Sequence, residues 1–192
     1  MSGLGVGGWR GARLARRLDV FAPDPAAYPD DTLGKLVCEE ALAAARAGNY
    51  GVGAVLADGE GRVILRGGNR VFAPRFASDG HAEMALVSRL ERERPELCPA
   101  ELTLLVSLEP CPMCYTRLKL AGIGRVLYLA ADEAGGMVRR AEQLPPIWAL
   151  LHPGQVFAPA RVAPRLRRLA LAIFRLNLRA LRGQLVARGR PG

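Results

Sequence analysis

Residues 102–114 read LTLLVSLEPCPMC. Leu102 to Leu108 is a short apolar run, the length and composition of a buried strand. Pro112 follows at a helix start, where a missing backbone N–H does no harm. The pair Cys111 and Cys114 therefore sits at a strand-to-helix junction, and the helix is expected to end near Gly122. Arg125 to Ala130 reads as the next strand.

Upstream, Asp30 or Asp31 is placed to cap a helix running to about Ala47. Leu33, Leu36, Val37, Glu40, Ala41 and Ala44 lie mostly on one stripe of it, and Gly48 stops it. Gly51 to Ala57 is an apolar run that ends in the turn Asp58-Gly59-Glu60-Gly61. Arg62 to Arg66 follows, which predicts an antiparallel hairpin. A loop spans Gly67 to Gly80. A second helix runs from His81 to about Arg94, with Pro95 and Pro99 beyond it. The order α-β-β-α-β-α-β predicts an α/β protein, a three-layer αβα sandwich with a central mixed sheet of about five strands. Downstream, Pro145-Pro146 and Pro153-Gly154 break the chain, and a final helix begins near Pro164.

The 192 residues, half of them hydrophobic, are enough for one domain with a full core. No apolar run approaches the roughly 18 residues of a membrane span. Met1 to Gly8 lacks the apolar region of a secretory signal, so the cytoplasm is the expected compartment. The same stretch matches G-x-G-x-x-G at Gly3, Gly5 and Gly8. It follows no strand, so a dinucleotide site is not expected there. Four cysteines, Cys38, Cys98, Cys111 and Cys114, do not suggest a disulfide framework in such a chain.

The net charge of +9 is unevenly placed. Residues 1–142 carry eighteen basic and eighteen acidic side chains, and nine arginines with no acid follow Glu142. A second basic cluster is Arg10, Arg13, Arg16 and Arg17. Basic ends suit nucleic acid or another anionic partner; they are equally the solvated surface of an arginine-rich protein.

The chemistry rests on two segments, His81-Ala82-Glu83 and Pro110-Cys111-Pro112-Met113-Cys114, with twenty-six residues between Glu83 and Pro110. Cys-x-x-Cys at a helix start points two sulfurs at one ion, and the free N–H groups there favour thiolate. His81, Cys111 and Cys114 make three ligands suited to zinc. A fourth position is left for water, as in catalytic zinc sites. Glu83, two residues from His81, reaches that open side as a proton carrier. Two other readings are a redox pair, which needs a thioredoxin-like context that the strand order lacks, and a structural zinc knuckle. The knuckle needs a fourth ligand. His152 and Cys98 are the candidates, and neither has ligand-like spacing.

These residues resemble the cytidine-deaminase-like superfamily, whose zinc signature is H-x-E followed by P-C-x-x-C. The resemblance covers about residues 33–135. It is closest to the branch of tRNA adenosine deaminases, guanine deaminases and cytosine deaminases. Gly53-Ala54-Val55, Gly67-Gly68-Asn69, His81-Ala82-Glu83-Met84, Leu108-Glu109-Pro110-Cys111-Pro112-Met113-Cys114 and Ile123-Gly124-Arg125-Val126 stand in family order. The resemblance implies that Glu83 is the proton shuttle and that Asn69 bonds the base or sugar. It implies that Ala82 lines the pocket with its backbone and that Asp132 is a candidate base-reading carboxylate. Glu109 is expected to support the cysteine loop. Trp148 is a candidate for stacking on a base, and equally for packing. The stretch Ala77-Ser78-Asp79-Gly80 departs from the tRNA-editing pattern. The implied division is a basic Gly/Pro-rich arm over 1–29, a zinc-dependent deaminase domain over 30–160, and an arginine-rich helix and tail over 161–192. Homodimers are expected.

On a helical wheel, Arg161, Arg165, Arg168, Arg175, Arg179 and Arg182 share one narrow face, with Leu166, Leu169, Ile173, Phe174, Leu176 and Leu181 on the remainder. This predicts a basic amphipathic helix. Either its apolar side packs on the core or a subunit, or the arginines contact RNA or DNA phosphates; a membrane surface is a third option. The leading expectation is a zinc-dependent hydrolytic deaminase of a nucleobase or nucleoside. The alternatives are a tRNA-specific adenosine deaminase and a non-catalytic zinc and nucleic-acid-binding protein on the same scaffold.

Overall fold

A computed structural model describes residues 7–189; the glycines at positions 3 and 5 lie outside the described residues. Five strands form one mixed sheet in the order β2-β1-β3-β4-β5. The strands are β1 (Gly53–Ala57), β2 (Val63–Gly68), β3 (Thr103–Leu108), β4 (Arg125–Ala130) and β5 (Val156–Pro159). β1 pairs antiparallel with β2 and β3, while β3–β4 and β4–β5 are parallel. β5 carries no sequence signal: it is four residues long, partly exposed and ends in proline.

Helix α1 spans Gly7–Asp19, α2 Asp31–Arg46, α3 Ala82–Glu93 and α4 Pro112–Ala121. α5 is a single turn over Ile147–Leu150, followed by α6 (Pro164–Phe174) and α7 (Leu178–Arg188). α2 and α6 pack on each other and on the sheet; α3 packs on the sheet and α4 on α3. This is the αβα sandwich that the pattern predicts. β1 is buried at every position, and β3 and β4 at all but their first, so these strands are apolar throughout rather than alternating. Gly122 closes α4 with φ of 68°, a left-handed conformation that glycine adopts without steric cost.

Three expectations change. The stretch read as an arm contains helix α1. Leu14, Leu18 and Phe21 are buried in the core, and α1 packs over α2 and α6. The single C-terminal helix is two, broken over Arg175–Asn177. Asn177 fixes the break: its amide donates to the carbonyls of Ala45 and Asn49 at 2.8 and 2.9 Å, at the C-terminal end of α2. It thus adds a second bond to the Ala45 carbonyl, which already accepts from the Gly48 N–H at 3.1 Å. Finally, neither aspartate caps α2 through its side chain. Asp30 accepts from the Arg161 N–H at 2.6 Å and Asp31 from the Ala163 N–H at 2.8 Å, tying α2 to the start of α6.

Candidate active site

β3 and β4 end at Leu108 and Ala130, and the chain leaves them toward the cysteine loop and Asp132. The carboxyl end of parallel strands is where open α/β sheets bind ligands. His81 is the N-cap of α3 and Cys111 the N-cap of α4, while Glu83 and Cys114 sit in the first turns of those helices. Two helix N-termini therefore converge on one point and favour anionic groups there.

The His81 Nδ1 atom lies 3.7 Å from the Cys111 sulfur and 3.5 Å from the Cys114 sulfur. All three donor atoms fall within 4.8 Å of one another. Zinc bonds of about 2.3 Å to sulfur and 2.0–2.1 Å to nitrogen, at tetrahedral angles, put such donors roughly 3.6 Å apart. The donor set fits zinc in type and spacing. Among the described residues neither His152 nor Cys98 joins this group. The His152 ring instead packs against Gly122. With no fourth histidine or cysteine donor among the described residues, the structural-knuckle alternative loses its ligand.

The two thiols, the imidazole and the carboxyl are electrostatically coupled. The Cys111 thiol is pushed down to about 4, chiefly by the hydrogen bond from Cys114, with His81 adding to it against the cost of burial. Cys114 is correspondingly raised, since it holds the shared proton. Burial opposes the charged form of His81, yet the bond to Cys111 and its charge raise the imidazole above its ordinary value. Glu83 is buried, and desolvation pushes its carboxyl up to about 7.

A cavity of about 180 Å³ opens over these residues. His81, Glu83 and Cys111 form its reactive side, and Asn69, Asp132, Leu108 and Val52 line it further. Residues 28–130 match the family described as the cytidine and deoxycytidylate deaminase zinc-binding region. The chain belongs to that family. The deaminase is 39% identical over 107 residues to a tRNA-specific adenosine deaminase of Agrobacterium fabrum, covering 54% of this chain and 67% of the relative. It is 29% identical over 121 residues to a probable cytosine deaminase of Schizosaccharomyces pombe, covering 58% and 72%. A solved chain from structural studies of A-to-I editing by tRNA:A34 deaminases superposes with a TM-score of 0.59 at 31% identity, over 72% of this chain and 96% of that one. The family and the His/Cys/Cys geometry together indicate one zinc ion.

Of the residues singled out from sequence, the deaminase brings Asn69, His81, Glu83, Cys111 and Asp132 to the cavity. Cys114 completes the metal group from beneath, fully buried. The Asn69 carbonyl oxygen accepts from the Val71 N–H at 3.1 Å, which leaves its amide N–H groups for the cavity. Ala82 is fully buried and Trp148 is half-buried in α5; neither side chain lines the cavity. Glu109 is consumed structurally. Its carboxylate accepts from the backbone N–H groups of Asp132 and Arg139 at 3.1 and 3.0 Å and from Arg139 Nε at 3.0 Å. It thereby locks the loop that presents Asp132.

Sequence reasoning placed Arg182 on a nucleic-acid face and Phe174 on the helix's apolar side, and missed that with Tyr50 and Leu178 they form the opposite wall of the cavity. Phe174 and Leu178 look like ordinary core positions on an unbroken helix. The break after α6 turns them, and Arg182, toward the site. Gly51 permits the approach, since a β-carbon there would overlap the Ile173 carbonyl. The six arginines read as a nucleic-acid face are all exposed, but Arg165 and Arg168 lie on α6, Arg179 and Arg182 on α7, and Arg161 and Arg175 on neither.

Proposed function

We propose that this zinc-dependent hydrolytic deaminase acts on a free nucleobase or nucleoside, exchanging a ring amino group for oxygen and releasing ammonia. Glu83 carries this reading: a buried carboxyl on the cavity wall, two residues from a metal-binding histidine and not itself in the metal group. Zinc, when bound by His81, Cys111 and Cys114, supplies the Lewis acidity that makes water a nucleophile near neutral pH. Glu83 takes one proton from the attacking water and hands it to the ring nitrogen beside the amino-bearing carbon, then takes the proton of the new hydroxyl on that carbon and hands it to the departing amine. A carboxyl poised near 7 suits both transfers. Asn69 donates from its amide to an oxygen of the base or sugar. Asp132, bonded on one oxygen to the Ala134 N–H at 3.1 Å, offers the other to a ring N–H. Ala82 contributes backbone beneath the ring.

The test is ammonia release from cytosine, cytidine, guanine and adenosine by zinc-loaded protein. Turnover of at least one substrate, lost in Glu83→Gln, is the expected result. Turnover of none, or full activity in Glu83→Gln, overturns the reading in favour of a non-catalytic scaffold. The likeness to a tRNA-specific adenosine deaminase favours a second reading, adenosine to inosine in tRNA. Inosine formed in a tRNA anticodon stem-loop decides for it. Residues 161–192 cannot be removed as a unit for that assay. Leu166, Leu169 and Ile173 are wholly buried, so only the chain after Asn177, whose one buried residue is Leu181, can be deleted at small cost to the core. A cytoplasmic homodimer completes the proposal, on the strength of the family branch that the chain resembles. Among the described residues no helix is long and apolar enough to cross a membrane. Sedimentation gives the subunit number.

A further inference from the structure

Helix α1 lies outside the matched residues 28–130, and so does α6. Between them runs a groove of about 540 Å³. Trp9, Arg10, Arg13 and Arg17 of α1 line one side, and Arg175 and Leu176, just past α6, the other. No acidic side chain lines it. Among the described residues none of the four arginines forms an ion pair. Arg10, Arg13 and Arg17 are spaced three and four residues apart on one helix face, where like charges oppose the helix unless an anion lies between them. Trp9 is 72% exposed, with the Arg13 guanidinium 6.0 Å from its ring centre.

We propose that this groove binds single-stranded nucleic acid, with Arg10, Arg13, Arg17 and Arg175 on successive phosphates and Trp9 stacked on a base. A cationic track beside an open aromatic face is what a flexible phosphodiester chain needs. A membrane does not fit. The apolar side of α1, Leu14 and Leu18, is already buried in the core, which leaves Trp9 alone on this helix as an exposed large apolar residue, too small a face for lipid. An acidic peptide would neutralise the arginines but leave the tryptophan face unused. Arg175 lines the groove and its chain neighbour Phe174 the zinc cavity, on whose wall Arg182 stands as a further cation. Presentation of the reacting base on a bound strand rests on the deaminase reading; binding in the groove does not.

The experiment uses full-length, zinc-loaded protein carrying Glu83→Gln, which prevents turnover, and Trp148→Phe, which leaves Trp9 as the sole fluorophore of its type. Single-stranded RNA and DNA of about a dozen nucleotides are titrated by anisotropy between about 50 and 200 mM salt. Affinity should fall steeply with salt, and Trp9 emission should be quenched on binding. Combined Arg13→Ala, Arg17→Ala and Arg175→Ala should weaken binding at least about tenfold and reduce the log–log salt slope by about two. The corresponding lysine variant should recover most of the slope, and circular dichroism should show all forms folded. RNA and DNA binding alike support a backbone site; RNA preference adds a sugar contact. Unchanged affinity in the alanine variant, unmoved Trp9 emission, or equal binding to anionic lipid vesicles overturns the proposal. Ammonia release from nucleosides, assayed separately with Glu83 intact, should be the same with or without the three arginines. Failure there, with RNA still bound, would sink the deaminase reading and leave the groove standing.

Discussion

The two walls of the zinc cavity are held by different means. His81, Glu83, Cys111 and Cys114 sit at the starts of α3 and α4; α3 is clamped on the sheet and α4 on α3, with Leu118 of α4 in the core. Facing them, Phe174, Leu178 and Arg182 hang on the corner between α6 and α7. α7 buries Leu181 alone, and is further held by Asn177 at its start and by Arg188 stacked 3.7 Å over the Phe76 ring near its end. The reacting groups are thus fixed by the core, while the wall that meets the substrate rests on a few replaceable contacts. Changes on the first wall should abolish chemistry. Changes on the second should alter which substrates enter and how tightly.

The largest expected effect breaks the first wall. Cys114→Ala removes a fully buried ligand, so metal analysis should find zinc near zero and ammonia release at background. Next, Glu83→Gln should keep its zinc while kcat falls about 10²–10⁴-fold, the usual contribution of a positioned acid–base group. Retained zinc with lost turnover separates the proton carrier from the ligands. On the second wall, deletion of residues 178–192 should raise KM for a nucleoside about tenfold, or about 1.4 kcal/mol, with kcat nearly unchanged. An equal collapse of kcat would mean that α7 belongs to the reactive side. The smallest effect is expected from Asn177→Ala. Losing its two bonds to α2 should cost about 1–2 kcal/mol, lower Tm by roughly 2–4 °C for each, and speed amide exchange in α7.

The same contrast explains what was legible in the sequence. The reactive wall is written in local spacings: Cys111 and Cys114 are one helical turn apart, Glu83 is two residues from His81, and both segments open helices. The strands under them are apolar runs bounded by clear turns. The second wall depends on where a helix breaks. Nothing in the Arg-Leu-Asn triplet 175–177 announces the break, because Asn177 acts through carbonyls more than 120 positions upstream. Helix α1 was hidden because its core contacts, Leu14 and Leu18, are only two among glycines and arginines. The bond of Glu109 to Arg139 spans 30 positions and leaves no local pattern. Strand β5, short and partly exposed, has neither apolar continuity nor alternation. Local chemistry was readable; contacts that close over long sequence separation were not.

X-ray absorption at the zinc edge of the purified protein tests the central claim most directly. The account predicts one zinc per chain with two sulfur neighbours at about 2.3 Å and two lighter ones at about 2.0–2.1 Å, one from His81 and one from an exchangeable solvent ligand. A zinc saturated by four protein donors, or Cys111 and Cys114 joined to each other without metal, would contradict it.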